Sequence, residues 1–505
     1  MKMKRKLGLI ISIPVFIFIL SYLFTLKTCF KDEKIDYIGM IKARGYEFNP
    51  DFFVYLAGES DVDDLDLFLK AGMDINSINR YGFPAIYNSV IANKIENTKF
   101  LIRNNAFINF KDLSGANLLI HSIKNKNFNM AKILIDNGIE INFIYNSQTP
   151  FTLALNERQP QIAEYLLENG LDLNKVNLLG ESPIWKAVEK GNYRMVYFLL
   201  NNDDVNIESQ DMFQHYTPLM KAAQTGNINA ARLLINKGAD ITFVNRDGKT
   251  AFEIAVRNKK DSVVKLIVEN SEFPEKYSDE DFDPLLFYIR NKNYEMVKFL
   301  VENEFSVNSG NRFRTPLIES IYSADLKIVD FLLESGAYTE MRTPDYDYPL
   351  SIAVAKNDRE VVKLLVKYGA DVNKISPHDL SPLARYINRN DCEMVEFLLQ
   401  NGADPNLVSG KDNVLPIIFA IDNQYCEVVG KLIEYGADPG KIIEKSGQTP
   451  LIYAIRINNY ELVERFINSG AELNQRDAFG NSPVVTARMM GNPRIIRLLE
   501  RRGAK

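Results

Sequence analysis

The chain has 505 residues, of which 46% are hydrophobic and 25% are charged. This ordinary globular composition excludes a disordered, a collagen-like or a multi-span membrane protein. The formal net charge is −5, and no long basic run follows residue 34, which disfavours nucleic-acid binding because that function needs clustered cations. The three cysteines and three histidines show no metal-ligand spacing, which argues against a structural metal site.

The first 34 residues predict a membrane anchor. A basic N-terminus at residues 1–6 precedes an uncharged apolar stretch at residues 7–26, and residues 27–34 form a linker. A helix of that length rises about 30 Å, which is the thickness of the hydrocarbon core. Because the basic end stays in the cytoplasm, an uncleaved signal anchor places the rest of the chain on the exoplasmic side. In a bacterium that side is the periplasm.

Two alternatives remain open for this segment. A cleaved secretory signal needs small residues before the cut, and Leu26-Lys27-Thr28-Cys29 supplies none. A lipoprotein signal would lipidate Cys29; Leu26 suits such a site, whereas Lys27 and Thr28 are atypical of it. A lipoprotein or a secreted protein acting on an external partner is therefore the alternative to the anchor.

Two short signatures recur in phase after residue 35. One is a string that ends a helix, such as Gly-Ala-Asp-Val-Asn at residues 369–373, and the other is a helix start, such as Thr-Pro-Leu at residues 217–219. In the second signature the threonine can cap a helix and the proline fits its first turn. Gly226 is expected to separate two helices, and Gly238 to end the second one in a left-handed conformation.

This pattern resembles the ankyrin repeat, with a period of about 33 residues, and it extends over residues 35–505 in about fourteen units. The resemblance implies an all-α solenoid of tandem repeats, each a helix-turn-helix with a β-hairpin loop. Residues 35–49 predict a half-repeat N-cap. The irregular, acidic residues 269–283 predict a longer, drifted hairpin, with a joint or a cation-attracting patch between two halves of the solenoid as the alternative. A polar C-terminal cap is indicated by Arg494, Arg497, Arg501 and Arg502.

The resemblance is incomplete at one position. Members of the family often carry a histidine after Thr-Pro-Leu, where it ties neighbouring loops together. Here that position holds residues such as Met220 and Ile318 and never histidine. We expect apolar packing to replace the missing hydrogen bonds.

Nothing in the sequence predicts catalysis. Phosphate-binding loops and nucleophile elbows are absent, and the repeats leave no room for a catalytic domain. We therefore predict no enzyme activity, no cofactor and no metal.

Cys392 and Cys426 occupy the same position in adjacent units. Because stacked helices lie about 8–10 Å apart, too far for a disulfide, they predict two free thiols, with a metal or redox pair as the alternative.

The resemblance implies that partners contact the hairpin tips and the first helices. Several tips are apolar or aromatic here, and aromatic side chains dominate binding hot spots. The alternative is that these residues seal the gaps between adjacent hairpins. The predicted partner-binding residues are Tyr81, Trp185, Met212, Phe213, Tyr216, Phe313, Tyr346 and Phe479.

Together these features predict a non-catalytic, monomeric scaffold that binds a protein and is held at a membrane. The net charge falls to −10 when residues 1–34 are excluded, which favours a partner with basic patches. A structural spacer within a cell envelope is the alternative function, although a spacer needs no patterned tips.

Overall fold

The computed structural model describes residues 35–271, 282–310, 314–341, 347–376, 380–410, 415–441 and 447–505. The chain divides into two compact units, of which unit 1 ends at Ala251 and unit 2 begins at Phe252. Several sequence predictions lie outside the described residues, namely the anchor at 7–26, Cys29, most of the drifted hairpin or joint at 269–283, Phe313 and Tyr346. No helix in the described part of the chain combines the length and apolarity that crossing a bilayer requires.

The described residues of unit 1 form one short helix followed by six helix pairs. In chain order the helices are α1 (Tyr37–Ala43), α2 (Pro50–Glu59), α3 (Val62–Lys70), α4 (Ala85–Ile91), α5 (Ile95–Arg103), α6 (Leu118–Lys124), α7 (Phe128–Asp136), α8 (Pro150–Asn156), α9 (Pro160–Glu168), α10 (Pro183–Glu189), α11 (Tyr193–Leu200), α12 (Pro218–Thr225) and α13 (Ile228–Asn236).

The described residues of unit 2 form eight pairs, the first of which begins one residue before the boundary. The helices are α14 (Ala251–Arg257), α15 (Asp261–Glu269), α16 (Pro284–Arg290), α17 (Tyr294–Glu302), α18 (Pro316–Ser323), α19 (Leu326–Glu334), α20 (Pro349–Lys356), α21 (Arg359–Lys367), α22 (Pro382–Asn388), α23 (Cys392–Gln400), α24 (Pro416–Asp422), α25 (Cys426–Glu434), α26 (Pro450–Arg456), α27 (Tyr460–Asn468), α28 (Pro483–Met490) and α29 (Pro493–Arg501).

The starts of the first helices confirm the predicted cap. The Thr217 hydroxyl accepts a hydrogen bond from the Met220 backbone N–H at 3.2 Å, and Pro218 occupies the first turn of α12. Most second helices are capped by Asn or Asp instead, as where the Asn227 side chain accepts from the Ala230 N–H at 3.1 Å. A capped proline therefore starts many of the first helices, and an Asx cap starts most of the second helices. The first-helix cap recurs at Thr149, Ser182, Thr315, Ser381 and Thr449.

Within each unit, first helices pack on neighbouring first helices and second helices on second helices. Small residues allow the close approach of the first helices, since Ala222 and Ala223 are both fully buried. On the second helices the buried stripe is narrow. Leu234 is fully buried, whereas Leu233 and Ile235 remain partly exposed.

The loops between pairs differ from the predicted β-hairpins. Within the described residues they contain isolated bridges, such as Lys111 with Asn117, rather than paired strands. A side chain closes several of these turns: the Asp112 carboxylate accepts hydrogen bonds from the N–H groups of Ser114 (2.8 Å) and Ala116 (3.0 Å). The same closure recurs at Asn79, Asn177, Asn245 and Asp477. Because one carboxylate or amide satisfies the loop, the turn needs no strand pairing.

Candidate partner-binding surface

The tips of the unit 1 loops carry exposed apolar side chains. Each follows, by one or two residues, the Asn or Asp that closes its loop, and each is more than half exposed. We call these five residues the tip set: Tyr81 (70% exposed), Leu113 (100%), Leu178 (54%), Met212 (61%) and Phe213 (64%). Tyr81, Met212 and Phe213 were predicted from the sequence. Leu113 and Leu178 were not, although they share the turn position that identified the others.

Backbone hydrogen bonds join neighbouring loops beneath these tips. The Leu178 N–H donates to the Ser147 carbonyl at 3.2 Å, and the Met212 N–H donates to the Leu179 carbonyl at 2.8 Å. Gly180 allows the second contact, because its φ is +77° and a Cβ there would lie 2.7 Å from the Gln210 carbonyl oxygen. The loops that present Leu178, Met212 and Phe213 are therefore fixed relative to each other.

Trp185 lies under the tips rather than on them. Its side chain is only 5% exposed, and its indole N–H donates to the Tyr216 carbonyl at 3.0 Å. The Lys221 ammonium group sits 4.6 Å from the ring centre, a cation–π distance. Trp185 therefore has the sealing role that the sequence left as the alternative, and it offers little surface to a partner.

The remaining predicted residues fall in different environments. Tyr216 is half-buried, and burial raises the pKa of its phenol. Phe479 is 71% exposed in unit 2, two residues after Asp477 closes its loop. The tip pattern thus recurs in unit 2.

Asparagine side chains make a second set of contacts between repeats. The Asn142 amide accepts from the Asp172 N–H at 2.9 Å and donates to the Gly170 carbonyl at 3.0 Å. These bonds link repeats at a different position from the one after Thr-Pro-Leu, where Met220 and Ile318 are buried. The same two bonds are made by Asn174, Asn308, Asn373 and Asn406.

Glu208 occupies this asparagine position without an amide to donate. Its Oε1 accepts from the Asp240 N–H at 2.8 Å, as an asparagine would. Its Oε2 is buried and has no hydrogen-bond partner among the described residues. Burial, and secondarily the nearby Asp240 carboxylate, raises the pKa of Glu208. The joint between these two repeats is therefore weakened when Glu208 is ionised.

The described charged and thiol groups show no catalytic arrangement. Lys186 is nearly buried and paired with Glu181 and Glu189 at 3.1 and 2.8 Å. Cys392 and Cys426 are free thiols, as predicted, and burial raises the pKa of both, which lowers the fraction of reactive thiolate near neutral pH. Within the described ranges, no group of three or more His, Cys, Asp or Glu side chains is placed to hold a metal ion.

Helix α11 has an aromatic face that the sequence analysis missed. Tyr193 (51% exposed), Tyr197 (51%) and Phe198 (43%) lie on its outer side, and the two tyrosine rings are 6.3 Å apart. The equivalent of Tyr197 is Lys132 on α7 and Arg232 on α13. This face could have been predicted from the sequence, because Tyr197 is aromatic at a position where these two other repeats have a charged residue.

A family model described as "Ankyrin repeats (3 copies)" matches six overlapping stretches that together extend over residues 53–409, and a seventh stretch over residues 417–505. The chain belongs to the ankyrin repeat family. Ankyrin repeats are generally non-enzymatic scaffolds for protein–protein interaction.

Ankyrin repeat proteins from distant sources resemble the chain. A putative ankyrin repeat protein of fowlpox virus is 24% identical over 288 residues, 50% of this chain and 48% of the relative. A putative ankyrin repeat protein of Borreliella burgdorferi is 26% identical over 252 residues, 47% of this chain and 96% of the relative. The chain thus spans about half of the fowlpox relative. The solved human ASB11 ankyrin repeat domain is 21% identical, with a TM-score of 0.35 over 44% of this chain and 98% of that domain.

Proposed function

We propose that this ankyrin array binds a protein partner through the tip set of unit 1. The observation that carries the proposal is the exposure of five large apolar side chains at loop tips. Three of them, Leu178, Met212 and Phe213, lie on two loops that are joined by a backbone hydrogen bond. Apolar groups that stay in water in a folded chain mark an interaction surface when they recur at the tips of several loops. Because the loops are already ordered, a partner loses little entropy on docking.

The surroundings of the tips favour a partner with basic patches. The chain after residue 34 carries 53 basic and 63 acidic residues, so its field attracts cationic surfaces and repels anionic ones. Opposite charge accelerates encounter, and the apolar tips then supply most of the affinity.

The proposal includes a membrane tether. Residues 7–26 act as an uncleaved signal anchor, which puts the repeats on the exoplasmic side, the periplasm if the source is bacterial. Lipidation at Cys29 and secretion are the alternatives. The support is the sequence of the segment alone, its uncharged length and its basic flank.

The partner surface is tested with two matched triple variants of the full chain. One changes Tyr81, Met212 and Phe213 to serine on the tips, and the other changes Tyr193, Tyr197 and Phe198 to serine on α11. Each removes three large exposed side chains, so loss of apolar area alone cannot separate them. Tagged chains are crosslinked in native membranes, and the captured proteins are quantified.

We expect one partner to be captured in near-stoichiometric yield by the wild type and the α11 variant, and to be lost from the tip variant. Equal capture by all three chains would reject the tip surface, and capture of nothing by the wild type would favour a spacer.

For the tether, we expect alkaline carbonate to leave the wild type in the membrane and to release a chain lacking residues 7–26. Release of both would reject an anchor.

A further inference from the structure

The last helix pair carries a charge opposite to that of the rest of the chain. Residues 483–505 contain six basic residues and one acidic residue, whereas residues 35–482 contain 47 basic and 62 acidic residues. The six basic residues, all exposed, are Arg488, Arg494, Arg497, Arg501, Arg502 and Lys505.

Three of these arginines form a stripe along α29. Arg494, Arg497 and Arg501 are spaced i, i+3 and i+7, which places them on one face of a helix. The opposite face holds Ile495 and Leu499, both fully buried. The apolar residues therefore fix α29 against the rest of unit 2 while the guanidinium groups face solvent.

Most of this positive charge is uncompensated. In the described part of the chain, the one ion pair among the six basic residues joins Arg488 to Glu500 at 2.8 Å, and it links α28 to α29. Arg494 lies 5.1 Å from the ring centre of Tyr460, and Arg502 donates to the Asn468 side chain at 2.9 Å. Neither of these two contacts neutralises a charge.

Exposed methionines adjoin the arginines. Met489 and Met490 are 70% and 46% exposed and follow Arg488 directly at the end of α28. The equivalent residues of α12 are Gln224 and Thr225, so the repeat itself does not require an apolar group there. Flexible thioether side chains beside cations are suited to the boundary between lipid headgroups and acyl chains.

We propose that the surface formed by these six basic residues, Met489 and Met490, here named the basic end surface, docks on an anionic phospholipid bilayer. The arginines bind lipid phosphates and the methionines enter the interface. Clusters of four to eight basic residues are typical of such docking. A nucleic acid would neutralise the arginines but offers no apolar phase for Met489 and Met490. The surface includes no member of the tip set and does not depend on residues 7–26.

The test uses the full chain held in nanodiscs of zwitterionic phosphatidylcholine, which shield the apolar segment at 7–26. Sedimentation measures binding to vesicles of phosphatidylcholine alone or with about one-third phosphatidylglycerol, at low and high salt. One variant replaces the arginines at 494, 497, 501 and 502 with glutamine. A matched control replaces Lys126, Arg232, Lys259 and Lys292, exposed residues outside α28 and α29, with glutamine. Circular dichroism verifies that both variants are folded.

We expect the wild type and the control to bind the anionic vesicles at low salt, to ignore the neutral ones and to dissociate at high salt. The arginine variant should bind at least 100-fold more weakly, at roughly a tenfold loss per one or two charges removed. A double variant with Met489 and Met490 changed to serine should bind several-fold more weakly with an unchanged salt dependence. Binding that is equal for the arginine variant and the control would overturn the proposal. So would wild-type binding to a single-stranded oligonucleotide that is tighter than binding to the anionic vesicles.

Discussion

Trp185 and Phe213 are large aromatic residues on neighbouring repeats of unit 1, yet the structure gives them opposite environments. Trp185 is 5% exposed and hydrogen-bonded to the loop of the next repeat, whereas Phe213 is 64% exposed on the tip of that loop. The first belongs to the joints between loops and the second to the surface that the joints present. Residue type therefore does not distinguish packing from binding in this array, whereas position relative to the next loop does. The proposal therefore requires that substitutions in the joints change stability, and that substitutions on the exposed tips change partner binding.

The largest effect is expected at the tryptophan. Trp185→Ala removes a buried indole and the hydrogen bond to the Tyr216 carbonyl, so unit 1 should lose about 3–5 kcal/mol of unfolding free energy. Circular dichroism during urea unfolding measures the loss, since Trp185 is the single tryptophan of the chain. A cost below about 1 kcal/mol, which is typical of an exposed position, would place Trp185 with the surface residues.

Gly180→Ala should have the next largest effect. The new Cβ would meet the Gln210 carbonyl oxygen at 2.7 Å and the Met212 nitrogen at 2.8 Å, in a left-handed backbone with φ of +77°. We expect a loss of about 3 kcal/mol, from the backbone strain and from separation of the two loops. Gly115→Ala is the control, because its φ of +82° is similar but no atom lies near its Cβ. Its cost should be about 1 kcal/mol, and equal costs by Trp185 fluorescence would show that the loops do not touch at Gly180.

A smaller and opposite effect is expected at Glu208. Folding raises the pKa of Glu208 through burial and the Asp240 carboxylate. Its favourable contribution is therefore complete below the ordinary value of about 4.5 and is lost as the pH rises through the raised folded value. Glu208→Gln supplies an uncharged amide at all pH values. It should stabilise unit 1 by about 1–2 kcal/mol at pH 8 and by almost nothing at pH 4.

Glu340→Gln is the control for this prediction. Glu340 occupies the same position in unit 2 and accepts from the Asp371 N–H at 2.9 Å. However, its other oxygen lies 3.7 Å from the Lys374 ammonium group, and both side chains are 40% exposed. We expect the unfolding midpoint of Glu340→Gln to stay unchanged or fall slightly at pH 8. A gain equal to that of Glu208→Gln would show that the buried, unpaired oxygen is not the cause.

The smallest effect on stability is expected at the tips. Met212→Ser and Phe213→Ser remove side chains that are 61% and 64% exposed, so each should change the free energy of unfolding by less than about 0.5 kcal/mol. Trp185 fluorescence during urea unfolding reports this directly, because the tryptophan lies beneath these tips. A loss above about 2 kcal/mol would mean that the tips hold the loops together.

The sequence predicts the repeated helix pairs because their signals are local. A capped proline starts α12, Gly226 separates it from α13, and Gly238 ends the pair, all within a few residues of the bonds they make. The joints are not local. Asn142 bonds to residues 28 and 30 positions away. The residues next to a side chain in the sequence do not show that it bonds to the next repeat.

The candidate surface could be predicted only in part, because some of its members are recognisable from the local sequence and others are not. Tyr81, Met212 and Phe213 stand out as aromatic or large residues in turns, whereas Leu113 is recognised only once Asp112 is seen to close its loop. The burial of Trp185 depends on the loop at Tyr216, which belongs to the following repeat. An aromatic residue beside a turn is therefore an ambiguous signal until the neighbouring loop is placed.

The most direct test of the account compares Trp185→Phe and Phe213→Ser in the same two assays, urea unfolding by circular dichroism and partner capture by crosslinking. Trp185→Phe removes the indole N–H, which belongs to a joint between loops. Phe213→Ser removes an exposed ring, which belongs to the tip surface. The account predicts that Trp185→Phe lowers the unfolding midpoint and retains the partner, whereas Phe213→Ser retains the midpoint and weakens capture. If Phe213→Ser destabilised unit 1 as much as Trp185→Phe, or if both captured the partner equally well, the division between joints and surface would be contradicted.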